Sequence, residues 1–300
     1  MVRFFINEKN EQIRYFTNLI IFKYKYKLPI IFAVEPKMIK DQLNRTLKIT
    51  QTPKRIISLV PSLTELLVDL GLEEKIVGVT RFCVHPKHIK KTKVIVGGTK
   101  KVNYNKIKDL QPDFILTNKE ENTLDIVENC AKITSTFATD LNSITAVIEM
   151  INQLGKILNC ATKATKINQS IQIEQKKFLE SIQKTTPKKV AYFIWENPFM
   201  VAGNNTFINE LLKINRFKNI FDDLDRYPIV ELEKLKKVDY IFLSSEPYPF
   251  KEKHKDYFKK YTNAKIVLVD GEYFSWYGSR LLKAFDYFTE LHKSLKKLEK

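Results

Sequence analysis

Three cysteines in 300 residues, Cys83, Cys130 and Cys160, are odd in number and show no Cys-x-x-Cys spacing. They indicate neither a disulfide framework nor a zinc site and read as buried thiols. No apolar run approaches the roughly 18 residues that a membrane-spanning helix needs, so the chain is not expected to be an integral membrane protein. The Gly-Lys-Ser/Thr of a Walker A loop and the Gly-x-Gly-x-x-Gly of a dinucleotide site are missing, which leaves Gly97-Gly98-Thr99 as a weak phosphate-loop signal only. Gly-x-Ser-x-Gly and His-Glu-x-x-His are missing too, and with them the common signatures of a hydrolase or metalloprotease. Acidic residues are outnumbered, 34 against 51 Lys and Arg, for a formal charge of +17. The excess is spread over presumed helix exteriors without an Arg-rich arm, zinc-finger spacing or helix-turn-helix pattern, so no nucleic-acid partner is expected.

What is present is a globular composition, 44% hydrophobic and 12% aromatic, sufficient for one large or two ordinary domains. The strongest local pattern lies at residues 54–85. Ile56 to Val60 is a short, β-branched run ended by Pro61 and reads as a buried strand. Ser62 with Glu65 makes a Ser-x-x-Glu capping box, Leu63, Leu66, Leu67 and Leu70 share one face, and Gly71 closes the helix. A second strand, Ile76 to Thr80, completes a βαβ unit, which brings the Pro61-Ser62 corner and Arg81-Phe82-Cys83 to one sheet edge where ligands bind. Further strands are expected at Val94–Val96, Phe114–Leu116 and Ile133–Phe137, with helices at Asn105–Leu110 and Thr123–Cys130.

From Ser143 to about Lys184 apolar residues recur at helical spacing without a proline, which predicts one long helix, straight or bent near Asn159. Roughly forty residues at 1.5 Å each span about 60 Å, suited to a spine between two lobes that move little about it. A second α/β lobe follows, with strands at Val190–Trp195, Tyr240–Leu243 and Ile266–Val269, helices from Thr206, at Glu231–Lys236 and near 251–260, and a final helix to the C-terminus. Asp113–Glu120 and Asp239–Glu246 echo one another in length, leading Asp, apolar strand and closing Glu. The fold class is therefore α/β, with a lobe at 38–141, a linking helix at 142–187 and a lobe at 188–300. Residues 1–37 carry seven Lys and Arg against three Glu, and lysines split their apolar pieces. They lack a clear signal peptide and are expected to lie outside the fold and to be dispensable for it, as an over-long gene start would be. Residues 39–49 are expected to form a short edge hairpin.

Arg55–Glu65, Gly71–Thr80, Leu110–Leu116 and the Gly278-Ser-Arg280 start of the last helix resemble the family of cobalamin- and iron-chelate-binding proteins, the substrate-binding components of ABC importers of vitamin B12, siderophore and haem type. The resemblance covers about residues 39–297. It implies the class III periplasmic-binding-protein fold, two Rossmann-like lobes on a rigid linking helix, with a corrinoid, ferric siderophore or haem in the cleft. Its ligand-contacting loops fall on Phe82, Cys83, His85, Gly98, Thr99, Asn118, Glu120, Trp195, Glu196, Phe199, Glu272, Tyr273, Trp276 and Tyr277. A broad apolar plate with a polar rim is best held by such aromatic faces and hydrogen-bonding groups. Trp195 and Trp276 are expected to face one another across the cleft, with the free Trp276 indole partly wet. His85 and His88 could ligate a metal as neutral imidazoles, but Pro86 between them argues for turn histidines, and no protein-held metal or other cofactor is expected. Permease docking in the family uses an acid on each lobe; Glu233 matches one position, and Asn105 stands at the other. The implied partners are the chelate and the ABC permease and ATPase, the implied state a monomer, and the implied place the periplasm or cell envelope. A cytoplasmic chelate-binding or sensing module is the nearest alternative, and an α/β enzyme a more distant one.

Overall fold

The computed structural model describes residues 37–299. The dispensability expected of residues 1–37 falls, apart from Lys37, outside them. The described chain opens with the antiparallel pair β1 (Lys37–Lys40) and β2 (Thr46–Ile49), the hairpin expected there. Its turn is fixed by Asp41, whose carboxylate accepts from the backbone of Leu43 and Arg45 and pairs with the Arg45 guanidinium.

The first lobe is a five-stranded parallel sheet of β3 (Ile56–Ser58), β4 (Ile76–Thr80), β5 (Val94–Gly97), β6 (Phe114–Asn118) and β7 (Thr136–Thr139) in the order β5-β4-β3-β6-β7. Its helices are α1 (Pro61–Asp69), α2 (Ile89–Thr92), α3 (Tyr104–Asp109) and α4 (Leu124–Ile133). The strand order reverses between β3 and β6, and such a switch point opens a crevice at the carboxyl ends of the strands.

The capping box expected at Ser62 is not formed. The helix begins one residue earlier with Pro61 at its first turn, its N-cap Val60 makes no side-chain cap, and the Glu65 carboxylate turns instead to Arg280. A proline at the first turn needs no cap partner of its own, because its missing N–H is one that the helix start would leave unsatisfied. Glu65 was thereby free for another partner.

The single long helix is also corrected. Residues 144–181 form two helices, α5 (Ile144–Ile157) and α6 (Ala161–Ser181), folded back on one another. The break is a Schellman ending: Asn159 takes φ of +57°, and the Cys160 N–H bonds the Gly155 carbonyl at 2.8 Å. Asparagine tolerates the left-handed region, so helical periodicity on both sides hides a reversal. Gly155 lets the two helices touch, since a Cβ there would lie 2.6 Å from the Ala164 Cβ. The amide of Asn168 ties α6 to the Ile148 carbonyl at 3.0 Å and to Asn152 at 2.9 Å. Only α6, 21 residues and about 31 Å long, runs on to the second lobe.

That lobe is built on β8 (Lys188–Trp195), with the short β9 (Met200–Val201) antiparallel to it, helix α7 (Phe207–Ile214), β10 (Phe217–Asn219), β11 (Tyr240–Ser244), α8 (Glu252–Phe258) and β12 (Lys265–Val269). The parallel strands run β10-β8-β11-β12, with the order reversing between β8 and β11. The segment 270–279, expected as loop, holds α9 (Gly271–Ser275) and a 3-10 turn at Gly278–Arg280 before α10 (Leu281–Leu298). Residues 232–237 form a 3-10 helix rather than an α-helix. The internal echo has a physical basis: Asp113 accepts from the backbone of Lys54 and Arg55, and Asp239 from that of Lys189, so each leading aspartate clamps the start of its lobe's central strand.

One apolar cluster joins the lobes behind the cleft. It runs from Leu63 and Leu66 of α1 through Val147 and Ile151 of α5 and Ile171 of α6 to Phe242 and Phe288. Phe178 of α6 packs on Phe285 and Phe288 of α10, each at 5.8 Å between ring centroids. The lobes are therefore joined through this shared core rather than through one continuous rod.

Candidate functional site: the crevice between the lobes

The carboxyl ends of both sheets face one another, and two polar bridges cross between them. In the first, Asn118 at the end of β6 is fully buried and its side-chain oxygen accepts from the N–H groups of Glu120 at 2.8 Å and Glu121 at 3.1 Å. This tight turn presents Glu120 to the second lobe. Glu120 accepts from the Tyr227 hydroxyl at 2.8 Å and pairs with Arg226 at 2.9 Å. Burial nevertheless pushes the Glu120 carboxyl above its usual range, and that of Glu121 likewise.

The second bridge is a chain of four side chains. Glu65 of α1 accepts from Arg280 Nε at 2.8 Å, Arg280 Nη1 lies 3.2 Å from Glu272, and Glu272 meets His85 Nε2 at 2.9 Å. Glu65 and His85 belong to the first lobe, Arg280 and Glu272 to the second. The Arg280 guanidinium also lies 4.9 Å from the Trp276 ring centroid and 5.7 Å from that of Tyr273. The segment that delivers Arg280 turns at Gly278, whose φ of +89° lies in the left-handed region that favours glycine, against Leu66 of α1.

The aromatic residues divide. Phe82 is 51% exposed and Trp195 40%, so each offers an apolar face to solvent at its lobe's mouth. Gly98 makes the pose of Phe82 possible, because a Cβ at that position would lie 3.1 Å from its ring. The Trp195 indole N–H donates to the Asn197 carbonyl at 3.1 Å, and its ring meets Tyr248 edge-on at 5.7 Å. Ile229, 66% exposed, adds apolar surface on the Tyr227 side.

Trp276 departs from expectation. It is 7% exposed, covered by His85 at 5.4 Å and by Arg280, rather than standing wet opposite Trp195. The short polar loop became a helix whose end is roofed by the other lobe. Tyr273 stacks on Tyr287 of α10 at 4.6 Å, Phe199 packs against Tyr257 and Phe258 in the outer layer, and Tyr277 is buried against Phe207. Cys83 sits wholly in the core, hydrogen-bonded to Thr64 and Thr80, and burial pushes its thiol up. Its side chain offers no exposed surface to the crevice. Thr99 is buried as well, its carbonyl accepting from Asn122 at 2.9 Å.

Glu196 accepts a short hydrogen bond from Tyr248. Glu246, at the end of β11, accepts from Ser275 at 2.7 Å, and burial raises its carboxyl to about 7. His88 pairs with Glu73 at 2.7 Å on the surface, and among the described residues no group of three or more His, Cys, Asp or Glu could hold a metal ion. Glu233 and Asn105 are both exposed, Glu233 among Lys234, Lys236 and Lys237. Among the described residues no helix is long and apolar enough to cross a membrane.

Sequence reasoning missed Arg226, Tyr227, Ile229, Glu246 and Tyr248, and it noted Glu65 and Arg280 without joining them. The signal for Glu246 was there in the echo, as the counterpart of Glu120. The pairing of residues 215 positions apart carried no local signal.

Residues 56–265 match the model of the Periplasmic binding protein family, and the chain belongs to that family. It is 32% identical over 198 residues, 63% of this chain and 62% of the relative, to an uncharacterized ABC transporter substrate-binding lipoprotein of Bacillus subtilis (strain 168). A cobalamin-binding protein of Halobacterium salinarum is 26% identical over 194 residues, 62% of this chain and 51% of the relative. The chain thus spans between half and two thirds of the length of these curated relatives. Among solved structures, a periplasmic heme binding protein from Pseudomonas aeruginosa aligns with a TM-score of 0.67 at 20% identity, covering 79% of this chain and 91% of the other. An ABC-type Fe3+-hydroxamate transport system protein from Saccharomonospora viridis aligns at 0.66 with 15% identity, covering 85% and 98%. These two likenesses show the fold: two α/β lobes of the class III periplasmic-binding-protein type.

Proposed function

We propose that this protein is the substrate-binding component of an ABC importer and captures a metal chelate between its lobes. The observation that carries the reading is the pairing of two wet aromatic faces, Phe82 and Trp195, on opposite lobes at a switch-point crevice whose rim is polar. The relatives support it, since their names include cobalamin, heme and Fe3+-hydroxamate. Binding, rather than turnover, is the task such a site performs: Glu65, Glu120 and Glu272 are engaged in bridges between the lobes. The B. subtilis relative's description as an ABC transporter substrate-binding lipoprotein supports work at the cell envelope, handing the chelate to a permease and ATPase. Exposed Glu233 would meet the permease from the second lobe, with Asn105 on the first as a neutral contact. The test is native mass spectrometry of the purified full chain mixed with cobalamin, haemin and a ferric hydroxamate. A one-to-one complex with one of them is expected; an unliganded spectrum with all three at high micromolar concentration overturns the reading.

A further inference from the structure

On its flank the second lobe carries a hollow of its own. It measures 410 Å³, and Lys189, Lys218, Lys234 and Lys237 stand round a floor that includes Phe221 and Leu224. None of its lining residues belongs to the first lobe or to either bridge between the lobes. Three elements bring the lysines together. β10 and β8 run parallel with Lys218 directly opposite Lys189, so both side chains leave the same face of the sheet. The 3-10 helix at 232–237 covers that face, since its Leu232 and Leu235 share an apolar cluster with Ala191 and Phe193, which alternate onto the Lys189 side of β8. Residues three apart eclipse in a 3-10 helix, which sets Lys234 beside Lys237.

Among the described residues none of these four ammonium groups makes an ion pair, whereas the neighbouring Lys188 and Lys213 are paired, with Glu299 and Asp222. Asp223 is the only acid in the lining; Asp239 accepts from the Lys189 N–H, and Glu231 and Glu233 do not line the hollow. The hollow therefore keeps an excess of positive charge. Like charges directly opposite on paired strands are destabilising, so the facing Lys189 and Lys218 are kept at a cost. An exposed sheet edge accounts for Lys218 and a helix end for Lys237, but neither accounts for their meeting Lys189 and Lys234 round one cavity. We infer that this hollow is a second ligand site, separate from the crevice, that takes a phosphate-bearing anion of two or more negative charges, either free or as a lipid headgroup. Lysine binds phosphate as a point charge, and the apolar floor lowers the local dielectric and strengthens each attraction.

The experiment has two arms, both with the purified full chain near neutral pH and at low salt: calorimetric titration with sodium pyrophosphate, and flotation with phosphatidylcholine vesicles that do or do not contain phosphatidylglycerol. Saturable binding of one pyrophosphate per chain is expected if the anion is free, and phosphatidylglycerol-dependent flotation if it is a headgroup. In either arm Lys218→Gln/Lys237→Gln should bind about tenfold weaker or more, with melting temperature as the check on folding. The control is Lys90→Gln/Lys91→Gln on α2, which lowers the net charge by the same amount and should stay within about twofold of wild type. An equal loss in both double variants would mean diffuse attraction to a basic surface and overturns the inference, as does binding in neither arm.

Discussion

Replacing Arg280 by methionine removes the centre of the Glu65–Arg280–Glu272–His85 chain while keeping most of the apolar length of the side chain. Arg280 is 5% exposed, and its partner Glu65 is 6% exposed. Leaving one member of a buried ion pair without its partner commonly costs about 3–5 kcal/mol, because the stranded charge keeps its desolvation penalty. Lys283, 3.8 Å from the other Glu65 oxygen but itself well exposed, offsets part of this, so the lower end, about 3 kcal/mol, is expected. For a chain of this size about 1 kcal/mol moves the melting temperature by roughly 2–3 °C, so Arg280→Met should melt roughly 6–9 °C lower by circular dichroism. Adding Glu65→Gln to Arg280→Met should return part of the loss, since no buried charge then lacks a counter-ion, and the coupling from the four-variant cycle should exceed about 1 kcal/mol. The ligand-free melt of Arg280→Met within about 2 °C of wild type, or a coupling near zero, would refute the claim that this pair fastens the lobes. The sign is instructive too: a more stable Arg280→Met/Glu65→Leu double variant would mean that the pair is kept for lobe geometry rather than stability.

Other consequences follow from the same geometry. Glu246 is raised in the folded state to about 7, chiefly by burial, so its ionisation costs stability. The cost is absent below the unfolded carboxylate range, grows as pH rises from about 4.5 to 7, and is fully present above, to an order of 3 kcal/mol at most. Glu246→Gln should therefore raise the melting temperature at pH 8 and leave it nearly unchanged at pH 4.5; an equal effect at both would contradict this. Gly98→Val should displace the Phe82 ring, whose edge already lies 3.1 Å from the position of an added Cβ, and weaken chelate binding by about tenfold in a dialysis assay. Gly155→Leu should separate α5 from α6, where an added Cβ meets Ala164 at 2.6 Å, and cost about 3 kcal/mol or more in urea unfolding; a neutral result would favour the single straight helix.

Short-range chemistry was the legible part. The run Ile56 to Val60 with Pro61, the strand Ile76 to Thr80 and the echo of Asp113 with Asp239 announced two α/β lobes, because β-branched runs and punctuating residues act within a few positions. Asn159 was legible as the place of a bend but not as a full reversal, since a single residue entering the left-handed region changes direction without disturbing the apolar period around it. Glu65 shows the other kind of failure. Its local partner, Ser62, was three residues away, yet Arg280 on another lobe won it, because a buried carboxylate gains more from a guanidinium than from a backbone N–H. At the crevice, residue type pointed to loops at the strand ends but could not separate wet faces from roofed ones. Phe82 and Trp195 are open, while Trp276 and Tyr277 are covered by contacts from distant parts of the chain.

The central claim, that a chelate is held between the two lobes, is tested most directly by a crystal structure of the full chain grown with the chelate it binds best. The account predicts the chelate's plate in van der Waals contact with both Phe82 and Trp195. A chelate seated on one lobe alone, or touching neither aromatic ring, would contradict it.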